Sequence, residues 1–264
     1  DDELKNEDDR KKYGLPKKVP EHLRAGSLRD ADRLNSNPYI DLLDFNITIN
    51  TSLDQTAIGP GDLVKKWTAG GRNYFTYSGK QPGIYMLPGI ASAEYREWHD
   101  SVHTGSRTID IGIYAHPAHN KNISRLMDAY KTSVRFCDQT FGPYMYTQMR
   151  LVETSVYAPL STNITGTDFF SELYGWNADT RIPYDVDHFL FNSARQVARQ
   201  WWGNQVAPNN VPGSLALKDG ISTFCALLIY ESVYGKAEVQ KVLYDLFDWY
   251  LLNARWNAGR QQPV

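Results

Sequence analysis

The sequence lacks several features that would have decided its function outright. It has two cysteines in 264 residues, Cys137 and Cys225, too few for a disulfide framework or a Cys-rich zinc cluster. Each lies in a stretch with helical spacing, where two buried thiols are expected, although sequence alone does not set the distance between them. The redox compartment is therefore left open. No apolar run approaches the ~20 residues that cross a bilayer, and Phe224–Tyr230 reads as a core helix segment. There is no G-x-S-x-G nucleophile elbow. Gly59–Gly61 and Gly70–Gly71 read as turns, not as a phosphate loop. A net charge of -2 gives no electrostatic case for nucleic acid or an anionic membrane surface. A signal peptide is missing too, and residue 1 is Asp. A piece of a longer chain is expected, joined to any membrane only through segments outside this sequence.

What is present is the composition of an ordinary folded protein. Hydrophobic residues make up 42% and charged residues 22%, enough for one large domain or two modest ones. Residues 1–36 are strongly charged, open with D-D-E-L-K-N-E-D-D-R-K-K, and are expected to form a tether. Residues 37–117 read as a β-sheet domain. Phe45, Ile47 and Ile49 alternate with polar residues, as do Ile109, Ile111 and Ile113. Leu63–Trp67 and Tyr74–Tyr77 flank a T-A-G-G hairpin.

Residues 118–264 read as mostly helical. Asn122 is placed to cap a helix to about Phe141, with Leu126, Met127, Tyr130, Val134 and Cys137 facing inward. A strand over Met149–Val156 and an irregular polar loop through Thr167 follow. Further helices are expected from about Asp185–Asp187, from about Asp219 to Tyr234, and over about Ala237–Ala254. The last should bury Val239, Val242, Leu243, Leu246, Phe247 and Tyr250 on one face.

The stretch Ala194–Val206, A-R-Q-V-A-R-Q-W-W-G-N-Q-V, resembles the H-E-x-A-H-Q-W-W-G-N/H-x-V helix of the aminopeptidase N-like zinc peptidases, the gluzincins. N-N-V-P-G-S-L-A-L-K-D-G-I-S-T-F-C-A-L-L-I-Y-E-S-V-Y-G is similar to their second helix, which carries a third zinc ligand; that ligand position is Asp219 here. The resemblance narrows to the aminopeptidase-like domains fused to ABC-type transporter permease segments in large bacterial membrane proteins. It is carried by T-S-L-D-Q-T-A-I-G-P-G, I-Y-A-H-P-A-H-N and F-G-P-Y-M-Y-T-Q-M-R-L-V-E, and covers about 37–260. It implies an α+β fold: a saddle-like N-terminal β-sheet domain, then a thermolysin-like, mostly helical domain cut short at its C-terminus, with a groove between them. It also implies an extracytoplasmic, periplasmic location.

The chemistry does not follow the frame. In H-E-x-x-H two histidines one helical turn apart hold zinc and the glutamate activates water; those places read Arg195, Gln196 and Arg199. A guanidinium has no lone pair to give a metal, and an amide cannot act as a general base. Asp219 is one methylene shorter than the expected glutamate. The family's G-x-M-E-N motif is replaced by V-Y-A-P-L-S-T-N-I-T-G-T, Val156–Thr167, and its transition-state tyrosine would fall beyond residue 264. A pseudopeptidase is expected, with no catalytic residue, metal or cofactor. It would bind a peptide or protein partner, the permease part of its own chain included, or serve in assembly. The alternatives are an aminopeptidase-like hydrolase with an unrecognised metal site, and a purely structural module.

Arg195 and Arg199 share one helix face and repel unless an acid lies between them. A guanidinium–carboxylate cluster with Asp219, tying two helices together, is the first expectation. A groove that binds an anion through Arg195, Arg199 and Asp219, with Glu172 nearby, is the second. Other candidates are slighter. His116 and His119 form an H-x-x-H pair beside a strand end that could seat a metal, but with no nearby Cys or carboxylate to complete a site. His99 and His103 would share a helical face. Glu153 and Glu172 are expected near the groove. Trp201 and Trp202 read as core.

Overall fold

The structure is a computed structural model that describes residues 7–17, 44–79, 89–105, 107–155, 161–173, 175–179, 186–206 and 216–256. Most of the tether expected over 1–36 lies outside these. The described part holds a short helix, α1 (Glu7–Lys12), with acids in its first turn and bases in its last, the arrangement that complements the helix dipole. Arg10 Nε donates to Pro16 O at 2.9 Å and Lys17 pairs with Glu7 at 3.0 Å. This segment forms a unit of its own; the elements from Asp44 onward form the other.

The second unit begins with a three-stranded antiparallel sheet in the order β1 (Phe45–Thr51), β4 (Arg72–Gly79), β3 (Asp62–Ala69). The expected hairpin joins β3 to β4, with Ala69 opposite Arg72 and both turn glycines at positive φ, 56° and 72°, as a two-residue turn between twisted strands requires. A two-stranded ladder pairs β2 (Thr56–Ile58) with β5 (Ala91–Ala93).

The third sheet positions the sites. It has five strands in the order β6 (Arg96–Thr104), β7 (Arg107–Ala115), β8 (Gln148–Thr154), β10 (Thr167–Ser171), β9 (Ser161–Ile164). β7, β8 and β10 run parallel to one another; β6 and β9 are antiparallel edges. Two expectations are corrected here. The boundary drawn at 117 falls within this sheet, because β7 pairs with β8, a strand from the segment read as mostly helical. Within the loop expected through Thr167, Ser161–Ile164 form β9 and Thr167 opens β10, while 156–160 lie outside the described residues. The backbone of both strands pairs in the sheet, and all five residues of β10 are buried, so polarity misled where pairing decides.

Helix α2 (Ile123–Phe141) covers the sheet, with Leu126, Tyr130, Val134 and Cys137 at 1% exposure or less against Ile109, Ile111 and Ile113 of β7. Each such side chain contributes about 1.5–3 kcal/mol on burial. Asn122 precedes α2 but makes no cap bond. Its amide donates to Gly175 O and Ala178 O, at 2.6 and 3.1 Å, pinning the helix start to the loop after β10. α3 (His188–Arg199) packs on α2 and on α4 (Ile221–Tyr234), which α5 (Lys236–Trp256) follows. α5 buries less than expected: Val242 is enclosed and Val239 and Leu246 are partly covered, but Leu243, Phe247 and Tyr250 are exposed. Cys137 and Cys225 are buried free thiols. Among the described residues no helix is long and apolar enough to cross a membrane.

Candidate functional site

Asp187 starts α3 by accepting from the backbone N–H of Phe189 and Leu190, both at 3.1 Å. Tyr234 at the end of α4 donates to the same carboxylate at 2.7 Å, and Arg125 of α2 pairs with it at 3.2 Å. Burial opposes its charge, but these bonds win and hold its pKa below the usual carboxylate value. One carboxylate thus fixes where α3 begins relative to its two neighbours.

One face of α3 and its far end carry the peptidase-like positions. Arg199, with 11% of its side chain exposed, donates through Nη2 to Asp219 Oδ1 at 2.6 Å. Its Nη1 donates to Gln196 Oε1 at 3.2 Å, and Gln196 Nε2 donates to Ser161 Oγ of β9 at 2.6 Å. A polar chain therefore runs from edge strand β9 through α3 to the segment that enters α4. Arg195 lies half-buried on the same helix, one turn before Arg199. Of the expected cluster, the structure shows the Arg199–Asp219 pair. Lys218, next to Asp219, has its pKa lowered by burial and then by the Arg199 charge.

Behind this chain lies a network that the sequence did not announce. After Arg199 the helix loosens into a π-helical segment, Gln200–Gln205, which turns Gln200 inward. Its amide N–H₂ donates to Asp168 Oδ1 at 2.8 Å and Ile164 O at 3.0 Å, and its oxygen accepts from Gly166 N at 3.0 Å and Asn204 Nδ2 at 2.9 Å. All four hydrogen-bonding places of one buried amide are used. Tyr130 of α2 donates to Asp168 Oδ2 at 2.9 Å. Complete burial pushes the Asp168 pKa up to about 7, against the bonds from Gln200 and Tyr130 and the Arg199 charge. Trp201, at 3% exposure, is core as expected, and its indole N–H donates to Gly142 O at 2.9 Å.

A second constellation forms at the other candidates. β7, β8 and β10 are parallel and end level with one another, Tyr114 beside Val152 and Thr154 beside Ser171. Residues just at or past their carboxyl ends therefore converge, the place where open parallel sheets bind ligands. His119 follows β7, Glu153 is the penultimate residue of β8 and Glu172 follows β10. Buried Glu153 accepts from His116 N at 2.7 Å and meets His119 Nδ1 at 2.5 Å. One ligand atom from each of His119, Glu153 and Glu172 lies within 4.8 Å of the others. They line a cleft of about 460 Å³ walled by Ala91–Tyr95, Thr154 and Ser155.

This overturns the statement that no carboxylate stands near the H-x-x-H pair. It also places Glu172, which the sequence grouped with Arg195, Arg199 and Asp219, beside His119 and Glu153. His116 belongs less closely than expected: it is exposed, and its Nδ1 accepts from Ala118 N at 3.2 Å. His99 and His103 lie on strand β6, not on a helix, with separate partners, Glu97 at 3.2 Å and Thr108 at 2.8 Å.

Comparison with solved structures gives the architecture a relative. The aminopeptidase A of Legionella pneumophila, in complex with aspartic acid, matches with a TM-score of 0.64 at 21% identity, over 74% of this chain and 23% of that one. The M1 zinc metallopeptidase of Deinococcus radiodurans matches at 0.62 and 17%, over 85% and 47%. The fold is that of the M1 peptidases. A two-domain M1 zinc metallopeptidase bound to L-arginine also matches, at 0.60 and 15%, over 80% and 45%. The chain thus spans less than half the length of the M1 structures it matches. No protein-family model matches the sequence, and no curated protein does either.

Proposed function

We propose that this chain is a non-catalytic domain with an M1 peptidase fold, in which the place of the zinc helix has become a structural joint. The observation that carries the reading is the 2.6 Å pair between Arg199 and Asp219, two positions where the gluzincin resemblance calls for metal ligands. Arg199 carries its positive charge at any physiological pH. It supplies by covalent attachment the cation that a peptidase would recruit from solution. Gln196, at the general-base position, is occupied by Ser161 and Arg199 and has no proton-accepting chemistry to offer. The domain's role is then binding or assembly, with a peptide or protein partner that includes the permease portion of its own parent chain. By the same resemblance it works on the extracytoplasmic face of a bacterial membrane, as part of an ABC-transporter-related protein.

The test is hydrolysis of a panel of aminoacyl-coumarin amides by the purified chain supplied with Zn²⁺, beside an active M1 peptidase. The expected result is release no faster than from buffer. Zinc-dependent turnover that disappears in Gln196→Ala would overturn the reading.

A further inference from the structure

We infer that His119, Glu153 and Glu172 form a divalent transition-metal site, of zinc type, at the carboxyl edge of the five-stranded sheet. It is separate from the helix positions where the resemblance would put zinc, and no part of it comes from α3 or α4.

The donor set is one imidazole and two carboxylates from three chain segments, brought within 4.8 Å. Three protein ligands plus solvent is a common coordination for an open zinc site. A histidine nitrogen in the set favours Zn²⁺ or a similar transition ion over Mg²⁺ and Ca²⁺, which take oxygen ligands.

The electrostatics point the same way. Three carboxylates, Glu94, Glu153 and Glu172, line the described wall of the cleft, and no lysine or arginine does. The same wall carries two imidazoles, His116 and His119, of which His119 joins the donor set. Carboxylates converging on a partly enclosed space repel, and a divalent ion there converts that repulsion into attraction. The arginine joint on α3 is the contrasting case, since its cation belongs to the chain.

The surroundings also hold the ligands in place. Glu153 is buried, its Oε2 fixed by His116 N at 2.7 Å, while Oε1 and His119 Nδ1 face each other at 2.5 Å. His119 N donates to His116 O at 2.8 Å, closing the turn that presents its ring. Glu172 is carried by a backbone bond from its N–H to Thr154 O at 3.0 Å. Such supporting bonds orient metal ligands before the ion arrives. His116 acts as a positioning residue: its backbone holds Glu153, and its ring nitrogen is turned to Ala118 N.

The test is to strip the whole chain with chelator, incubate it with Zn²⁺, remove the excess by gel filtration, and measure zinc by elemental analysis with thermal melting in parallel. About one zinc per chain is expected, with the melting temperature raised by roughly 5 °C. Glu172→Gln and His119→Gln should each lose the zinc and the shift while melting as folded proteins. Glu172 is half-buried, so its variant is the safer of the two. Asp219→Ala should keep the zinc. Less than about a tenth of a zinc in the folded wild type would overturn the site, as would zinc that persists in both Gln variants. Zinc lost only in Asp219→Ala would overturn both this site and the structural-joint reading, whereas failure of the hydrolysis test leaves this site untouched.

Discussion

The α3–α4 joint and the carboxyl edge of the sheet solve opposite problems of charge. At the joint charge meets charge, amide or hydroxyl within the chain: Arg199 faces Asp219 and Gln196, and Asp168 is held by Gln200 and Tyr130. At the sheet edge Glu153 and Glu172 converge with one imidazole and a further acid on the wall. Groups of similar composition, carboxylates with nitrogen donors, thus give a closed structural contact in one place and an excess of negative charge in the other. The difference is whether the nitrogen carries its own permanent charge. A guanidinium always does; an imidazole offers a lone pair instead. On the proposed reading, the contrast is between a charge pair closed within the chain and a metal-ligand set left open at the sheet edge.

Four measurements sharpen this contrast. The largest effect should come from Gln200→Ala. It strips four hydrogen bonds from a buried network and leaves Asp168, Ile164 O, Gly166 N and Asn204 short of partners. A loss of about 3–5 kcal/mol in chemical denaturation is expected; a loss under about 1 kcal/mol would mean that the joint does not rest on this network.

A smaller effect should appear in pH dependence. The Asp168 pKa is raised from 3.8 to about 7 in the folded protein, so the native state holds this proton more tightly than the unfolded chain. Its contribution is complete below the unfolded value and falls as pH rises toward about 7. The melting temperature of the wild type relative to Asp168→Asn should therefore decline across that window. A difference independent of pH would contradict the assignment.

The last two effects are modest and opposite in sign. Asp219→Ala leaves Arg199 largely enclosed without its anion. Because Asp219 is itself half-exposed, the cost is about 1–2 kcal/mol rather than that of a fully buried pair. Glu172→Gln in the metal-free protein removes a like charge from the cleft and should stabilise by about 0.5 kcal/mol. If both variants shifted the melting curve in the same direction, the charge contrast between the two regions would be lost.

Much of the framework was legible in residue spacing. Ile109, Ile111 and Ile113 announced a half-buried strand and all are fully enclosed; the inward positions of α2 were readable by the helical repeat. The Arg199–Asp219 pair was also within reach, through the resemblance and the rule that enclosed charges are paired. β9 and β10 were not. Thr162, Asn163, Thr165, Gly166 and Asp168 look like a solvated loop until Gln200 is seen to satisfy Asp168, Gly166 N and Ile164 O from a helix 32 to 36 residues away. The His119–Glu153 contact spans 34 residues, and only the order of three parallel strands brings Glu172 to it. One usable signal was present. Glu153 lies near the end of a strand and Glu172 follows one, and both were singled out, but pairing them with His119 requires the sheet order, which spacing along the chain does not contain.

The most direct test of the account is an anomalous-difference map from a zinc-soaked crystal of the chain, collected at the zinc edge. The account predicts one peak among His119, Glu153 and Glu172, and none beside Arg195, Arg199 and Asp219. A peak between α3 and Asp219, with the sheet edge empty, would contradict it.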